Sequence, residues 1–502
     1  MDAQANQQLH FALFPFMAQG HMIPMIDIAK LLAQRGVIIT IFTTPLNAAR
    51  FEVTLARAIE SGLQIQILRL QFPCVELGLQ EGCENLDMVP SLDLAPNFFR
   101  AADMLQDQVE KLFGEIKPQP NCIISDHCLP YTVHIASKFN IPRISFFGLG
   151  CFCILCYKNI FSSKVLESIN SESEYFAVPG LPDKVEFNRQ QVDSLGSAMK
   201  AIQQKMAAAE QASYGVIVNS FEELEQDYVK EYKKMKEDRV WCVGPVSLHN
   251  KEYSDKAERG NRASVDEQKC VSLLDSRNPG SVIYACLGSL CNLIPSQMIE
   301  LGLGLEASKR PFIWVIRDGE TSKELRKWSL EDGFEERVKG RGLVIWGWAP
   351  QVLILSHPSV GGFLTHCGWN STLEGISAGL PLLTWPLFGD QFINEKLIVQ
   401  ILKTGVRVGA EKPMKWGEEQ SVGVLIKRDD VKNAVEKLMD EGKEGEERRA
   451  SARELGKLAK MAVQEGGSSH HNITLLLEDI MKQEYSKNQP IEESNNQCRR
   501  FE

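Results

Sequence analysis

The order of apolar and polar positions along the chain outlines two successive α/β units. HFALFPF (residues 10–16) is an apolar run of strand length. After it come a loop, MAQGH, a helical pattern with Pro24 in its first turn and Gly36 just past its end, and a second apolar run, VIITIFTT (residues 37–44). This is a βαβ unit. Further short apolar runs at residues 121–125, 141–147 and 215–219 alternate with helical stretches, so the first half predicts a parallel sheet covered on both faces.

Beyond Gly244-Pro245 the periodicity stops. LHNKEYSDKAERGNRASVDEQ is polar and charged, the composition of a linker between domains. The runs SVIYACLG, FIWVIR, GLVIWGW, VGGFLTH and LPLLTWP then predict a second doubly wound sheet. Val431, Ala434, Val435, Leu438 and Met439 fall at helical spacing behind Asp429 and Asp430, with the charged stretch 441–460 as the solvated continuation of that helix. The expected division is a first domain at 1–244, a linker at 245–268 and a second domain at 269–465. A helix at 466–485 packs back on the first domain, and 486–502 is a flexible tail. Two α/β domains of similar size imply a cleft, and ligands of such sheets sit beyond the carboxyl ends of the strands.

Composition narrows the function. The 502 residues carry 55 Lys+Arg against 65 Asp+Glu, a net charge of −10. With no basic stripe to displace counterions from phosphates, a nucleic-acid partner is not expected. Thirteen cysteines are too few for a disulfide scaffold and odd in number, which predicts reduced thiols and a cytoplasmic location. Cys151, Cys153 and Cys156 lie among Phe146, Phe147, Phe152, Ile154 and Leu155, as packing thiols do. The first residues lack a basic stretch, and the longest apolar run, residues 144–157, is short of the roughly 20 residues that span a bilayer. No membrane insertion is expected.

Two short motifs are decoys. Gly302, Gly304 and Ala307 match a dinucleotide fingerprint but sit inside a helical pattern after Pro295, where a pyrophosphate turn does not form. The run GISAG around Ser377 matches a nucleophile elbow, which needs a strand before the serine and a helix after it. Here the order is reversed. A serine hydrolase using Ser377 is nevertheless the alternative enzyme class.

The stretch from Trp348 to Gln391 concentrates the chemistry. Strand VGGFLTH ends at His366, a turn comes next, and a helix begins near Asn370 and Ser371; a helix start after a strand presents unpaired N–H groups to an anion. His366, Asn370 and Ser371 can all donate to a diphosphate. Ser371 and Glu374 also have the spacing of a capping box, and the alternative is that Glu374 takes the two hydroxyls of a ribose. Trp348 before a rigid Ala349-Pro350-Gln351 turn fits either core packing or stacking on a base. Asp390 and Gln391 come after a strand end and suit neutral hydroxyls. In chain order these parts read base, ribose, diphosphate and sugar.

Over these 44 positions the chain resembles the signature box of plant family 1 UDP-dependent glycosyltransferases, and GHMIP (residues 20–24), SDHCLPYT (residues 125–132) and the C-terminal helices are also similar to that family. The resemblance implies the GT-B fold, two facing Rossmann-like domains with acceptor bound by the first and UDP-sugar by the second. It implies that Trp348 stacks on uracil, that Ala349 and Gln351 contact the nucleoside, and that Glu374 binds the ribose. His366, Asn370, Ser371 and Ser289 would hold the diphosphate, and Trp369, Asp390 and Gln391 the sugar, Gln391 being usual in glucose-using members.

The same resemblance makes His21 the general base and Asp126 its orienting acid. A histidine poised near neutral pH suits removal of a hydroxyl proton, and a carboxylate behind it fixes the tautomer. The reaction expected is a metal-free, inverting single displacement. UDP-glucose is the co-substrate, and the acceptor is an apolar triterpenoid, steroid or flavonoid held by Phe16, Gly20, Phe147, Phe152 and Phe388. Tyr131, where many relatives carry Trp, is a departure that bears on acceptor geometry. The protein is expected to act as a monomer. A protein that binds UDP-sugar without transferring it is the remaining alternative.

Overall fold

The apolar runs of the first half form β1 (His10–Phe14), β2 (Ile38–Thr43), β3 (Ile65–Arg69), β4 (Cys122–Asp126) and β5 (Arg143–Phe147). An antiparallel hairpin, β6 (Tyr175–Ala177) with β7 (Glu186–Asn188), precedes β8 (Gly215–Val218) and β9 (Val240–Cys242). The structure, a computed structural model, describes residues 8–192, 197–265, 267–291, 293–414 and 417–488. Most of the tail expected at 486–502 lies outside these residues.

Seven strands make one parallel sheet in the order β3-β2-β1-β4-β5-β8-β9. The second half supplies β10 (Val282–Cys286), β11 (Phe312–Ile316), β12 (Gly342–Trp346), β13 (Val360–Thr365), β14 (Leu382–Thr384) and β15 (Gly405–Arg407). They form a parallel sheet in the order β12-β11-β10-β13-β14-β15. In each sheet the strand order reverses once, between β1 and β4 and between β10 and β13, and such a reversal opens a crevice at the carboxyl ends of the strands. Both reversals border one cleft.

Several expectations change in the structure. The loop MAQGH is partly helical: the first helix is Gln19–Gln34 with Ala18 as N-cap, so His21 stands in its first turn and Pro24 in its second. Proline has no N–H to give to the carbonyl four residues back, here that of Gly20. That carbonyl instead accepts a 2.6 Å hydrogen bond from Asn370 Nδ2 of the second domain. The strand at β3 was masked by its polar alternation, IQILR, and β9 and β15 by their three-residue length.

The stretch 441–460 does not continue the helix before it. Helix Arg428–Leu438 ends, and a separate helix Lys443–Val463 buries Gly445, Arg448, Ala452, Gly456, Ala459 and Ala462. Small residues on one face let it approach closely: a Cβ on Gly456 would stand 2.7 Å from Gly379 Cα. The last helix, Ser468–Asn488, places Ile473, Leu476, Leu477 and Ile480 in the same core as Leu9, Phe11, Leu13 and Trp241, and Asn472 Nδ2 donates to Cys242 O at 3.1 Å. Every described cysteine is a free thiol, and all but Cys286 and Cys291 are buried. Burial pushes the Cys153 and Cys156 thiols above their ordinary range. Among the described residues no helix is long and apolar enough to cross a membrane.

Candidate active site between the two sheets

A cleft of about 590 Å³ runs between the carboxyl ends of the two sheets. On the first-domain side, β1 and β4 are neighbours with Phe14 paired to Ser125, so the segments leaving their carboxyl ends meet at the reversal. The turn after β1 delivers His21, and β4 ends at Asp126. His21 Nδ1 lies 2.7 Å from Asp126 Oδ2, with the carboxylate fully buried and the imidazole 27 % exposed. Asp126 Oδ1 accepts from Cys128 N at 2.9 Å, which fixes the carboxylate plane. Burial works against charge on His21, but Asp126 outweighs it and raises the imidazole above its ordinary pKa. For Asp126, burial works upward and the His21 interaction holds the acid below its ordinary range. The ring keeps Nδ1 on Asp126 and Nε2 for another partner, the geometry of a general base.

Rings surround this pair. Phe16 meets His21 edge-on at 5.3 Å and stacks on Phe99 at 5.0 Å. His127 stacks on Phe147 at 4.5 Å and stands 5.9 Å from His21. Burial lowers His127 to about 4, so it is neutral near pH 7. His21, Asp126, His127 and Cys128 each place one ligating atom within 4.8 Å of the others, a set able to hold a metal. The shortest approach, 2.7 Å, is a hydrogen bond; two ligands of a tetrahedral zinc stand roughly 3.3 Å apart.

On the facing side, Cys286 ends β10 before Ser289, and Thr365 ends β13 just before His366. Helix Trp369–Ser377 begins at the N-cap Gly368, so the backbone N–H groups of Trp369, Asn370 and Ser371 have no partner within the helix. The capping-box reading of Ser371 and Glu374 fails, because the cap lies three residues earlier. Instead Gln351 Nε2 donates to Ser371 Oγ at 3.1 Å and to Glu374 Oε2 at 2.8 Å. His366 is wedged between two glycines: a Cβ on Gly288, whose φ is +79°, would stand 2.5 Å from the ring, and one on Gly368 would stand 2.3 Å from Nε2. Burial lowers His366 to about 4, and its Nδ1 has no partner among the described residues. It is a neutral imidazole held at a helix N-terminus.

The remaining donor-box residues line the same cleft, as do Ser289, Trp348 and Ala349. Trp369 gives its indole N–H to Asn219 O of the first domain at 2.7 Å, leaving its backbone amide at the helix start. Gln391 Oε1 accepts from Leu387 N at 2.7 Å and Phe388 N at 3.1 Å, which leaves its amide NH₂ as donor. Asn394 Nδ2 fixes Asp390 at 2.7 Å. Burial raises Asp390 to about 6, offset in part by Asn394 and by His21 across the cleft.

Of the apolar residues expected around an acceptor, Gly20 and Phe388 line the cleft. Phe16 and Phe147 stand behind the imidazoles of His21 and His127. Phe152 is corrected: it is fully buried and meets Tyr228 edge-on at 4.9 Å. Helix Cys151–Ser162 is apolar nearly all round, so its sequence does not mark which face meets the cleft. Tyr131, 4 % exposed, sits in the core beside Leu129 and Ile135. Ser377 is buried in the last turn of its helix and donates to Leu373 O at 2.6 Å, with β14 after it, so it forms no elbow.

Arg259, Asn219 and His127 join the site without a signal of their own in the sequence. Arg259 sits in the stretch taken as linker and spans the cleft between Asp27 and Glu374. Nothing local marks such a residue, since its partners come from two other parts of the chain.

Comparison with known proteins agrees with this geometry. Residues 260–444 match the family described as UDP-glucoronosyl and UDP-glucosyl transferase. The chain is 60% identical to UDP-glycosyltransferase 73C3 of Arabidopsis thaliana, across 97% of this chain and 99% of that protein. It is 59% identical to UDP-glycosyltransferase 73C12 of Barbarea vulgaris, across 96% and 98%. Glycyrrhiza uralensis UGT73P12, solved with glycyrrhetinic acid 3-O-monoglucuronide, superposes with a TM-score of 0.86 at 37% identity over 96% of this chain and 97% of that one. TcCGT1, solved with UDP, gives 0.77 at 25% identity over 95% and 100%. With near-complete coverage by relatives this similar, and two Rossmann-like sheets facing one cleft, the chain belongs to the plant family 1 UDP-glycosyltransferases and has their GT-B fold.

Proposed function

We propose that the enzyme moves glucose from UDP-glucose to a hydroxyl of an apolar polycyclic acceptor, a triterpenoid, steroid or flavonoid, with inversion at the anomeric carbon. The observation that carries the proposal is the His21–Asp126 pair at 2.7 Å, facing the start of helix Trp369–Ser377 across the cleft. UDP lies along the donor box: uracil on Trp348 beside Ala349 and Gln351, ribose on Glu374, and diphosphate at Ser289, His366, Asn370 and Ser371. Trp369, Asp390 and Gln391 take the sugar hydroxyls. His21 Nε2 removes the acceptor proton as the oxygen attacks the anomeric carbon, and Asp126 stabilises the imidazolium that forms. Helix amides and the neutral His366 N–H stabilise the charge gathering on the leaving diphosphate, so the chemistry needs no metal.

A glycyrrhetinic acid glucuronide in the similar UGT73P12 structure and the cleft-lining Leu149 and Phe388 support an apolar acceptor. Both halves of the site come from one chain, which supports action as a monomer, and the free thiols support a cytoplasmic setting. Incubation with UDP-glucose and a panel of triterpenoids and flavonoids should add one hexose to an acceptor. UDP binding without product on any acceptor would favour a binding-only protein, and labelling of Ser377 by a fluorophosphonate would favour a hydrolase.

Two substitutions probe the donor half. Gly368→Ala drives a methyl into the His366 ring, and the UDP dissociation constant should rise by about tenfold, the loss of roughly one good hydrogen bond. Calorimetry reads this, and an unchanged constant would show that His366 does not hold the diphosphate. Gln391→His removes the free amide donor and should lower glucose use relative to galactose by roughly tenfold. The same ratio of initial rates with UDP-glucose and UDP-galactose in variant and wild type would remove Gln391 from donor choice.

A further inference from the structure

Residues 250–264 are a strap fastened alternately to the two domains. Asp255 pairs with Lys30 at 3.3 Å and Arg57 at 3.4 Å, and Glu258 pairs with Arg57 at 2.5 Å. Thr54 Oγ1 donates to Glu258 O at 3.2 Å. The next residue, Arg259, crosses the cleft: Nε donates to Asp27 Oδ2 of the first domain at 2.8 Å, and Nη1 donates to Glu374 Oε1 of the second. Gly260, at φ +93°, lies so close to Trp348 that a Cβ there would stand 2.6 Å from the indole. Asn261 accepts from Gln19 at 2.8 Å, and Ser264 exchanges two 2.8 Å hydrogen bonds with the Trp348 backbone.

Glu374 needs such a partner. Its side chain is 6 % exposed and Arg259 only 10 %. A carboxylate buried this deeply is costly unless a cation and hydrogen bonds compensate it. Arg259 satisfies one side of Oε1 and Gln351 satisfies Oε2. Each carboxylate oxygen accepts two hydrogen bonds, so one acceptor position on each remains for another donor. Although burial works against its charge, Asp27 and Glu374 together keep the guanidinium fully protonated.

We propose that Arg259 is a positioning residue for the donor: anchored on Asp27, it holds Glu374 aimed so that the carboxylate takes both ribose hydroxyls. The inference rests on the donor placement proposed above. A lysine cannot replace it, because a single ammonium on a flexible stem does not span Asp27 and Glu374 as the planar fork does.

The test is calorimetric binding of UDP and of 2′-deoxy-UDP to wild type, Arg259→Ala, Arg259→Lys, Glu374→Gln and the Arg259→Ala/Glu374→Gln pair, with thermal melts to confirm folding. Wild type should prefer UDP by about tenfold. Both Arg259 variants should weaken UDP binding more than binding of 2′-deoxy-UDP, which has only its 3′-hydroxyl to lose from Glu374, and so erase the preference, and the double variant should add nothing to Glu374→Gln. A merely structural role would weaken both nucleotides alike and keep the preference, which would overturn the proposal. Tighter UDP binding in Arg259→Ala would overturn it too, by showing that Arg259 competes with ribose. Equal binding of UDP and 2′-deoxy-UDP by wild type would instead overturn the placement of ribose at Glu374.

Discussion

His21→Ala is expected to lower kcat for hydroxyl transfer by about 10²–10⁴-fold, the range of a positioned general base, while UDP binds as before. The separation comes from geometry: His21 belongs to the first domain and bonds to Asp126, whereas the proposed UDP ligands belong to the second. An aliphatic hydroxyl ionises far above neutral pH, so without a base the attacking oxygen must shed its proton to water. The effect should be larger for an aliphatic alcohol than for a phenol, which is the more acidic acceptor. Steady-state rates on the two acceptor types, with calorimetric UDP binding alongside, measure this. Full turnover in the variant would remove His21 from the chemistry.

Asp126→Asn should be nearly as damaging and should also move the pH profile. In the wild type His21 is active when neutral, so kcat/KM rises with pH through an imidazole pKa held above its ordinary value. Asparagine removes the negative charge that raises this pKa and leaves the burial that lowers it. The acidic limb must therefore shift to lower pH, while the plateau falls by about 10²–10⁴-fold through loss of the oriented tautomer and of imidazolium stabilisation. A profile that drops without shifting would show that Asp126 does not set the protonation of His21. The stability effect has its own sign. Because Asp126 is held below its ordinary range, the pair contributes stability above the unfolded-state acid pKa, and this is lost as pH falls through the folded-state value.

The donor half was legible because the residues that form it are nearly contiguous. Between Trp348 and Gln391 the chain runs through β13, the helix Trp369–Ser377 and β14, and neighbouring parallel strands bring their carboxyl ends to one place. The apolar runs gave most strands for the same local reason. The misses are of two kinds. Where the pattern is uninformative, as in the helix Cys151–Ser162 that is apolar nearly all round, Phe152 could not be assigned a face. Where the partner is distant in sequence the contact leaves no local mark: Arg259, which reaches Asp27 and Glu374, lies in a stretch whose polarity suggested only a linker, and Asn219, whose carbonyl takes the Trp369 indole N–H, ends an apolar run that suggested only a strand. The start of the first helix belongs to the second kind: MAQGH has a loop's composition, and the contact that occupies the Gly20 carbonyl comes from Asn370, on the opposite wall of the cleft.

A crystal structure of the enzyme with UDP decides whether the nucleotide lies along the donor box. Uracil is expected against the Trp348 ring, ribose hydroxyls on Glu374, and the diphosphate at the backbone amides of Asn370 and Ser371 beside His366, with His21 Nε2 facing the terminal phosphate across the cleft. UDP bound away from the start of that helix, or His21 turned out of the cleft, would contradict this placement.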